Sequence, residues 1–517
     1  MADRARRGET IPAPSSRPES AVLAGDAGLT RWDITVAVLV LAGAAWLRHR
    51  PLGPPSLWTD DAWPALVIKV PWTGIAKIGL TAPGFVAGLK VWLHFTGFSA
   101  TKAQSMAFVF GIAAPALMWI LCVTRRLGRP AALVATALLL TSPAHIVFST
   151  RVKQYTLDSV MVIALLWLTW RGLERPDDTR RWVLLAFGAA VATATSSGVL
   201  PVIVGAFCAA MLAIRRVEKA VRRHALEAGA AYGVFAVVWW MIVLRPRLGT
   251  SLHDYWKPFY VSTSNAGLVG GLRVTAIRLA QGFGDLPAWG TVLIVVASAV
   301  VVVRTRRDLA VMLLVPLLVA FVLAIFQLAP LGTGRTDIYL YPTVALLVGV
   351  AVSEISFRRL SGTFIAVALV IASLVLARPP VAYPQEDMKR AVGYLAAEAR
   401  PADTVMVYPG GRYAFALYAP AAWPVTVFAT NIPTNGFEVR IHRPHLSILG
   451  SYETETGYRS AIPRTTRGAP RVWLIGSHGR LDVLKIEQAL YDLGYRARSR
   501  RHDHQQWFLS LWVRTPA

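Results

Sequence analysis

Cysteine is nearly missing from this chain, which has only Cys122 and Cys208. Two cysteines set in apolar runs exclude a disulfide framework and a thiolate metal site. Acidic side chains are scarce too, 29 Asp and Glu against 54 Lys and Arg, which leaves a formal net charge of +25. That surplus is scattered over short segments between apolar runs, so the concentrated basic face of a nucleic-acid binder is excluded. Charged residues of both signs make up 16% of the 517 positions and hydrophobic residues 55%. With a mean hydropathy of +0.47, a soluble enzyme is excluded as well. No small-residue cleavage site follows the first apolar run, which therefore reads as a retained anchor and not a signal peptide. Matched pairs of Gly/Pro-broken spans are also lacking, which weighs against an inverted-repeat transporter.

What is present is a series of runs near the roughly 20 residues needed to cross a bilayer. Eleven spans are expected, at about 33–48, 104–124, 131–149, 155–171, 182–197, 199–214, 226–244, 286–303, 309–328, 338–354 and 362–377. Basic residues follow every even-numbered span: Arg125, Arg126 and Arg129, then Arg171, Arg175, Arg180 and Arg181, then RRVEKAVRR from 215, RTRR from 304 and FRR from 357. Lys and Arg stay in the cytoplasm, so the N-terminus is expected inside and everything after the eleventh span outside. The remaining charge suits membrane lipids with anionic headgroups.

Three regions follow. Residues 1–32 read as a disordered cytoplasmic N-terminus. Residues 33–378 form the transmembrane domain, with a long outer loop at 49–103. Residues 379–517 alternate strand-length runs (TVMVY at 404, VWLIG at 472, WFLSLWV at 507) with helical patterns (DMKRAVGYLAAEA at 387, DVLKIEQALYDLG at 482). Such alternation predicts a small α/β domain, placed outside the cell by the orientation above.

The outer loop opens with LWTDDA at 57–62, and Asp60 and Asp61 are neighbours there. Adjacent carboxylates repel and gain nothing from lipid, so they need water or a function. After them, WPALVIKVPWTGIAKIGL and FVAGLKVWLHF are too short to span and read as amphipathic helices lying in the membrane interface. One plain reading is that the aspartates cap the helix beginning there, with Pro64 in its first turn. The other is that one of them faces a site. Cations on the same face go against the topological bias and ask for a partner. FSTRVKQYTLD at 148–158 supplies Arg151, Lys153 and Tyr155, and LGTGRTDIYLYP at 331–342 supplies Arg335, Asp337 and Tyr339. Phosphate matches the fork of an arginine and the compact charge of a lysine, and headgroup snorkelling is the alternative.

With these motifs the chain resembles the GT-C superfamily of membrane glycosyltransferases. The likeness is to the branch of protein O-mannosyltransferases, the aminoarabinose transferase of lipid A and the RgtA-like family. LWTDDA is similar to their LW-x-DE loop motif, with Asp61 in the Glu position. TAPGFVAGL at 81–89 corresponds to their HPPLYY-like stretch through Pro83. FSTRVKQYTL resembles YSQEARPYAL, keeping Tyr155 and setting Lys153 near the usual Arg. The resemblance covers roughly 33–377. It implies an α-helical polytopic fold of the bacterial plasma membrane. It also implies transfer of a sugar from a polyprenyl-phosphate donor to a glycan, lipid or protein acceptor on the outer face. The Ala-, Arg- and Val-heavy composition suggests, by analogy with GC-rich sources, a mannosyl- or arabinosyltransferase of the cell wall. A loop carboxylate would be the general base, Asp60 first and Asp61 as alternate or as an acceptor or metal ligand. Lys77, Arg151, Lys153, Tyr155 and Arg335 would serve the donor phosphate. A divalent metal is an open option that no sequence feature requires. A flippase or transporter, or a non-catalytic partner protein, are the rival classes.

Overall fold

In the computed structural model the described residues are 28–49, 56–79, 81–196, 198–245, 253, 255–261, 267–282, 287–356, 368–372, 386–429, 437–450, 455–477, 480–502 and 507–515. The N-terminal segment to residue 27, most of the expected span at 362–377 and the boundary at 378/379 lie outside them.

The helical part runs α1 (Arg31–Arg48), α2 (Thr59–Ala65), α3 (Pro83–Thr96), α4 (Ala100–Thr124), α5 (Arg129–Thr141), α6 (Pro143–Phe148), α7 (Tyr155–Glu174), α8 (Thr179–Thr195), α9 (Leu200–Ile214), α10 (Lys219–Trp239), α11 (Gly267–Gln281), α12 (Ala288–Thr305), α13 (Arg307–Ile325) and α14 (Tyr341–Ser356). Among the described residues, six helices are long and apolar enough to cross a membrane: Ala100–Thr124, Tyr155–Glu174, Lys219–Val243, Ala288–Thr305, Arg307–Ile325 and Ile338–Ile355. Protein covers 83% of the last of these but only 6% of Lys219–Val243 and 11% of Ala288–Thr305. The last is therefore the centre of the bundle among the described residues, and the other two leave Val234, Ile242 and Leu293 exposed, an apolar surface suited to lipid. At the centre, α14 lies so close to α5 that a Cβ on Gly349 would stand 2.6 Å from the Ala131 carbonyl oxygen.

Three expectations change. The run at 131–149 is not one span: α5 ends at Thr141 and α6 restarts at Pro143. The cause is local, because the residue before a proline is pushed out of the helical region. Ser142 accordingly adopts φ −55, ψ 117, and its hydroxyl accepts the His145 N–H at 3.4 Å. Second, α11 is a helix that the span reading did not include. Third, the interfacial segments are more broken than two helices. After α2 come two short 3-10 turns, Leu66–Lys69 and Trp72–Lys77, and then α3.

The C-terminal part runs α15 (Met388–Glu398), β1 (Thr404–Val407), α16 (Arg412–Tyr418), β2 (Val425–Ala429), β3 (Phe437–Ile441), β4 (Leu446–Ile448), α17 (Glu455–Thr466), β5 (Arg471–Ser477), α18 (Arg480–Asp492), β6 (Tyr495–His502) and β7 (Trp507–Arg514). Its main sheet has the order β4-β1-β5-β7-β6, and β2 and β3 form a separate pair. β1 runs parallel to β4 and β5, whereas β7 is antiparallel to both β5 and β6. The three strand-length runs are β1, β5 and β7. The arginine-rich β6 is an edge strand, where charge discourages further pairing.

This domain does not hang free. Leu57, Trp63, Leu66 and Phe85 of the loop share one apolar core with Leu395, Tyr413, Phe415 and Phe437 of the domain. Trp63 sits 6.3 Å, ring to ring, from both Tyr413 and Phe437. The acidic loop is therefore gripped between the helical bundle and the sheet domain.

Candidate active site

Helix α2 places the two aspartates differently. Its N-cap is Trp58, which has no side-chain capping bond, so Asp60 and Asp61 stand in the first turn but neither occupies the cap position. The N–H of Thr59 goes instead to Glu386 Oε2 at 3.2 Å, and the Thr59 hydroxyl reaches the same oxygen at 3.1 Å. The capping duty expected of the aspartates thus belongs to a residue 327 positions away.

The two carboxylates are consecutive, about 100° apart around the helix axis, and one is sealed while the other is open. Asp61 is 1% exposed. Its Oδ2 meets Arg151 Nη1 at 3.2 Å and its Oδ1 accepts the Val152 N–H at 3.1 Å. Burial pushes its carboxyl above the usual range, and the charges of Arg151 and Lys153 pull it back. Asp60 instead has a side chain 27% exposed and lies 3.7 Å from Arg335 Nη1.

The cations come from two turns. In the first, between α6 and α7, Arg151 lies over the Trp58 ring at 4.9 Å. Lys153 Nζ lies 3.8 Å from the centre of the Trp63 ring. Burial brings the Lys153 ammonium down to about 8, against the attraction of Asp60 and Asp61. Tyr155 opens α7, buried edge-on against Phe148 at 5.0 Å.

The second turn is LGTGRTD before α14. Gly332 and Gly334 take φ values of 80 and 68, a left-handed backbone that glycine tolerates. Asp337 closes the turn by accepting the Gly332 N–H at 3.1 Å and the Thr333 hydroxyl at 2.8 Å. The Thr333 hydroxyl in turn accepts the Arg335 N–H at 3.0 Å. Burial raises the Asp337 carboxyl, with those hydrogen bonds opposing. Asp337 is thus the clasp of the turn that aims Arg335. The guanidinium rests 4.8 Å from the Trp256 ring, and its Nε is buried without a hydrogen-bond partner among the described residues.

The structure therefore assembles Asp60, Asp61, Arg151, Lys153, Tyr155 and Arg335 around one end of α7. The opposite end carries the Arg125–Glu174 pair at 2.5 Å. Lys77 is not drawn in: it is exposed at the end of its 3-10 turn, with no described contact to the cluster. With all groups ionised, the three cations Arg151, Lys153 and Arg335 exceed the two carboxylates by one charge. Such an excess in a partly enclosed place suits an anion. Among the described residues no three His, Cys, Asp or Glu side chains gather where a metal ion could be held.

Sequence reasoning missed Glu386, Trp256 and the linking role of Thr59. Only the run of rings in HDYWKPFY at 253–260 could have drawn attention to Trp256. His145 Nδ1 accepts a hydrogen bond from Nη2 of buried Arg48 at 3.1 Å, so it is a packed polar residue.

No protein-family model matches the sequence, and no curated protein matches it significantly. Solved structures are similar in fold. ArnT from Cupriavidus metallidurans, known in the apo state and bound to undecaprenyl phosphate, is 14% identical with a TM-score of 0.55, over 93% of this chain and 97% of that one. The archaeal oligosaccharyltransferase AglB from Archaeoglobus fulgidus, in complex with an inhibitory peptide and a dolichol-phosphate, is 11% identical with a TM-score of 0.51, over 92% of this chain and 74% of that one. Identities this low make the likeness one of fold, and the fold is the GT-C one that LWTDDA and its companions suggested.

Proposed function

We propose that this protein is a glycosyltransferase that moves a sugar from a polyprenyl-phosphate donor to a cell-envelope acceptor on the outer face of the membrane. The observation that carries the reading is the difference between the two aspartates: Asp60 is open and faces Arg335, with Lys153 beside it, while Asp61 is sealed. The bound undecaprenyl phosphate of ArnT and the dolichol-phosphate of AglB support the donor class.

In this reading Asp60 removes the proton of the acceptor hydroxyl as its oxygen bonds to the anomeric carbon. The bond from that carbon to the phosphate oxygen breaks, and its electron pair stays with the departing polyprenyl phosphate. The charge gained there falls on Arg335 and Lys153, positioned in advance by their own turns. Arg335 leaves Asp60 for the phosphate, which frees the carboxylate to act as base. Asp61 and Arg151 hold the framework.

The test is transfer of radiolabelled sugar from a panel of polyprenyl-phosphate pentoses and hexoses by the purified protein, with Asp60→Asn as control. Label reaching an envelope acceptor with wild type and not with the variant is the expected result. Movement of the lipid across vesicles without bond cleavage would instead make the protein a flippase.

A further inference from the structure

Glu386 is fully buried and has no part in the chemistry above. It precedes α15, at the entrance to the sheet domain, yet its carboxylate accepts two hydrogen bonds from Thr59, the residue immediately before Asp60. The Thr59 hydroxyl also lies 3.0 Å from the Gly410 carbonyl and 3.3 Å from the Ser477 hydroxyl, both in the sheet domain. Two further ties flank this one. The Leu57 N–H donates to the Tyr418 hydroxyl at 2.6 Å, and the Lys389 N–H donates to the Ser56 hydroxyl at 3.2 Å. Ser56, Leu57 and Thr59 thus each have a polar group tied to the C-terminal domain.

We infer that Glu386 is a positioning residue for the base: the C-terminal domain sets the first turn of α2, and so the place of Asp60, through the Glu386–Thr59 clamp. This rests on the transferase reading of Asp60. The argument is geometric. A seven-residue helix cannot hold its own start, because so short a helix is marginal in water. Its first N–H groups need an outside acceptor. A buried carboxylate is a strong one, since hydrogen bonds to an ionised acceptor are about twice as strong as neutral ones. Arg335 hangs from a turn held by Asp337 and Thr333, so loosening the clamp displaces the base relative to that cation and leaves its turn whole. Lys153 and Arg151 rest on Trp63 and Trp58 but belong to the backbone of another turn, so a small shift of α2 moves Asp60 more than it moves them. The domain therefore acts more on the rate of transfer than on donor affinity.

The experiment compares full-length wild type with Glu386→Ala, Glu386→Gln and Thr59→Val, using undecaprenyl phosphate as binding probe. A displacement of about 1 Å costs on the order of 100-fold in rate. Glu386→Ala is expected to lower kcat by about 10- to 100-fold while the Kd for the probe stays within a factor of about two. Glu386→Gln keeps an acceptor oxygen in place and should recover most of the loss. Thr59→Val, a milder change, should lower kcat alone even if Glu386→Ala fails to fold. Unchanged kcat in Thr59→Val and in any folded Glu386→Ala overturns the inference. A rise in Kd together with a fall in kcat, in parallel with a lower melting temperature, would also overturn it, leaving the clamp as a fold contact only. A wild type that transfers no sugar overturns the underlying reading instead.

Discussion

Asp60 and Arg335 face each other across 3.7 Å, each about a quarter exposed, although 275 residues separate them in the chain. The neighbouring pair, Asp61 and Arg151, is shut away from solvent at 3.2 Å. Two ion pairs that look alike on paper should therefore respond differently to substitution.

Asp60→Asn removes the base and little else. Turnover is expected to fall by about 10²- to 10⁴-fold, the usual worth of general-base catalysis. Melting temperature and undecaprenyl phosphate binding should stay near wild type. Transfer at the normal rate by this variant would move the base elsewhere.

Asp61→Asn should act through folding. Breaking one partner of a buried ion pair costs about 3–5 kcal/mol, because the remaining charge stays desolvated. A lower yield of folded protein and a lower melting temperature in detergent are the expected signs. A fully stable variant would mean that Arg151 finds water or another partner.

Lys153 makes donor use sensitive to pH. Its ammonium is held at about 8 by burial, against Asp60 and Asp61, so it is charged below that pH and neutral above. A bound phosphate favours the charged form, hence affinity should be full below pH about 8 and decline as pH rises past it. Lys153→Arg keeps its charge throughout and should flatten the profile of donor KM between pH 7 and 9. An unaltered profile in that variant would remove Lys153 from phosphate binding.

Arg335→Ala removes a charge-assisted contact worth about 1.5–3 kcal/mol, or roughly 10- to 150-fold in donor binding. Trp256→Ala, which takes away the ring beneath the guanidinium, should weaken the donor in the same direction but less. Equal donor binding in both variants would assign the cation to lipid headgroups.

Topology is open to a direct check. A reporter active only outside the cytoplasm should work when fused after Ala517 and be silent when fused at Arg175. The reverse pattern would turn the molecule over and put the site on the other face.

The sequence by itself determined what depends on near neighbours. Apolar run length marked helices such as Ala100–Thr124 and Ile338–Ile355, and alternating pattern marked β1, β5 and β7, because both periods arise within a few residues. The same local rule, read more closely, would have found the break at Ser142–Pro143. The acidic pair and the two cationic turns were legible too, since charge on that face is conspicuous in so apolar a chain. Tertiary structure alone decided which aspartate is open, because burial of Asp61 depends on Arg151 and Val152, some 90 residues on. It alone brought Arg335 to Asp60, left Lys77 outside and handed the start of α2 to Glu386. No pattern in a linear chain records these, for burial and charge pairing are set by which distant surfaces pack together, and adjacent residues on one short helix turn toward different neighbours.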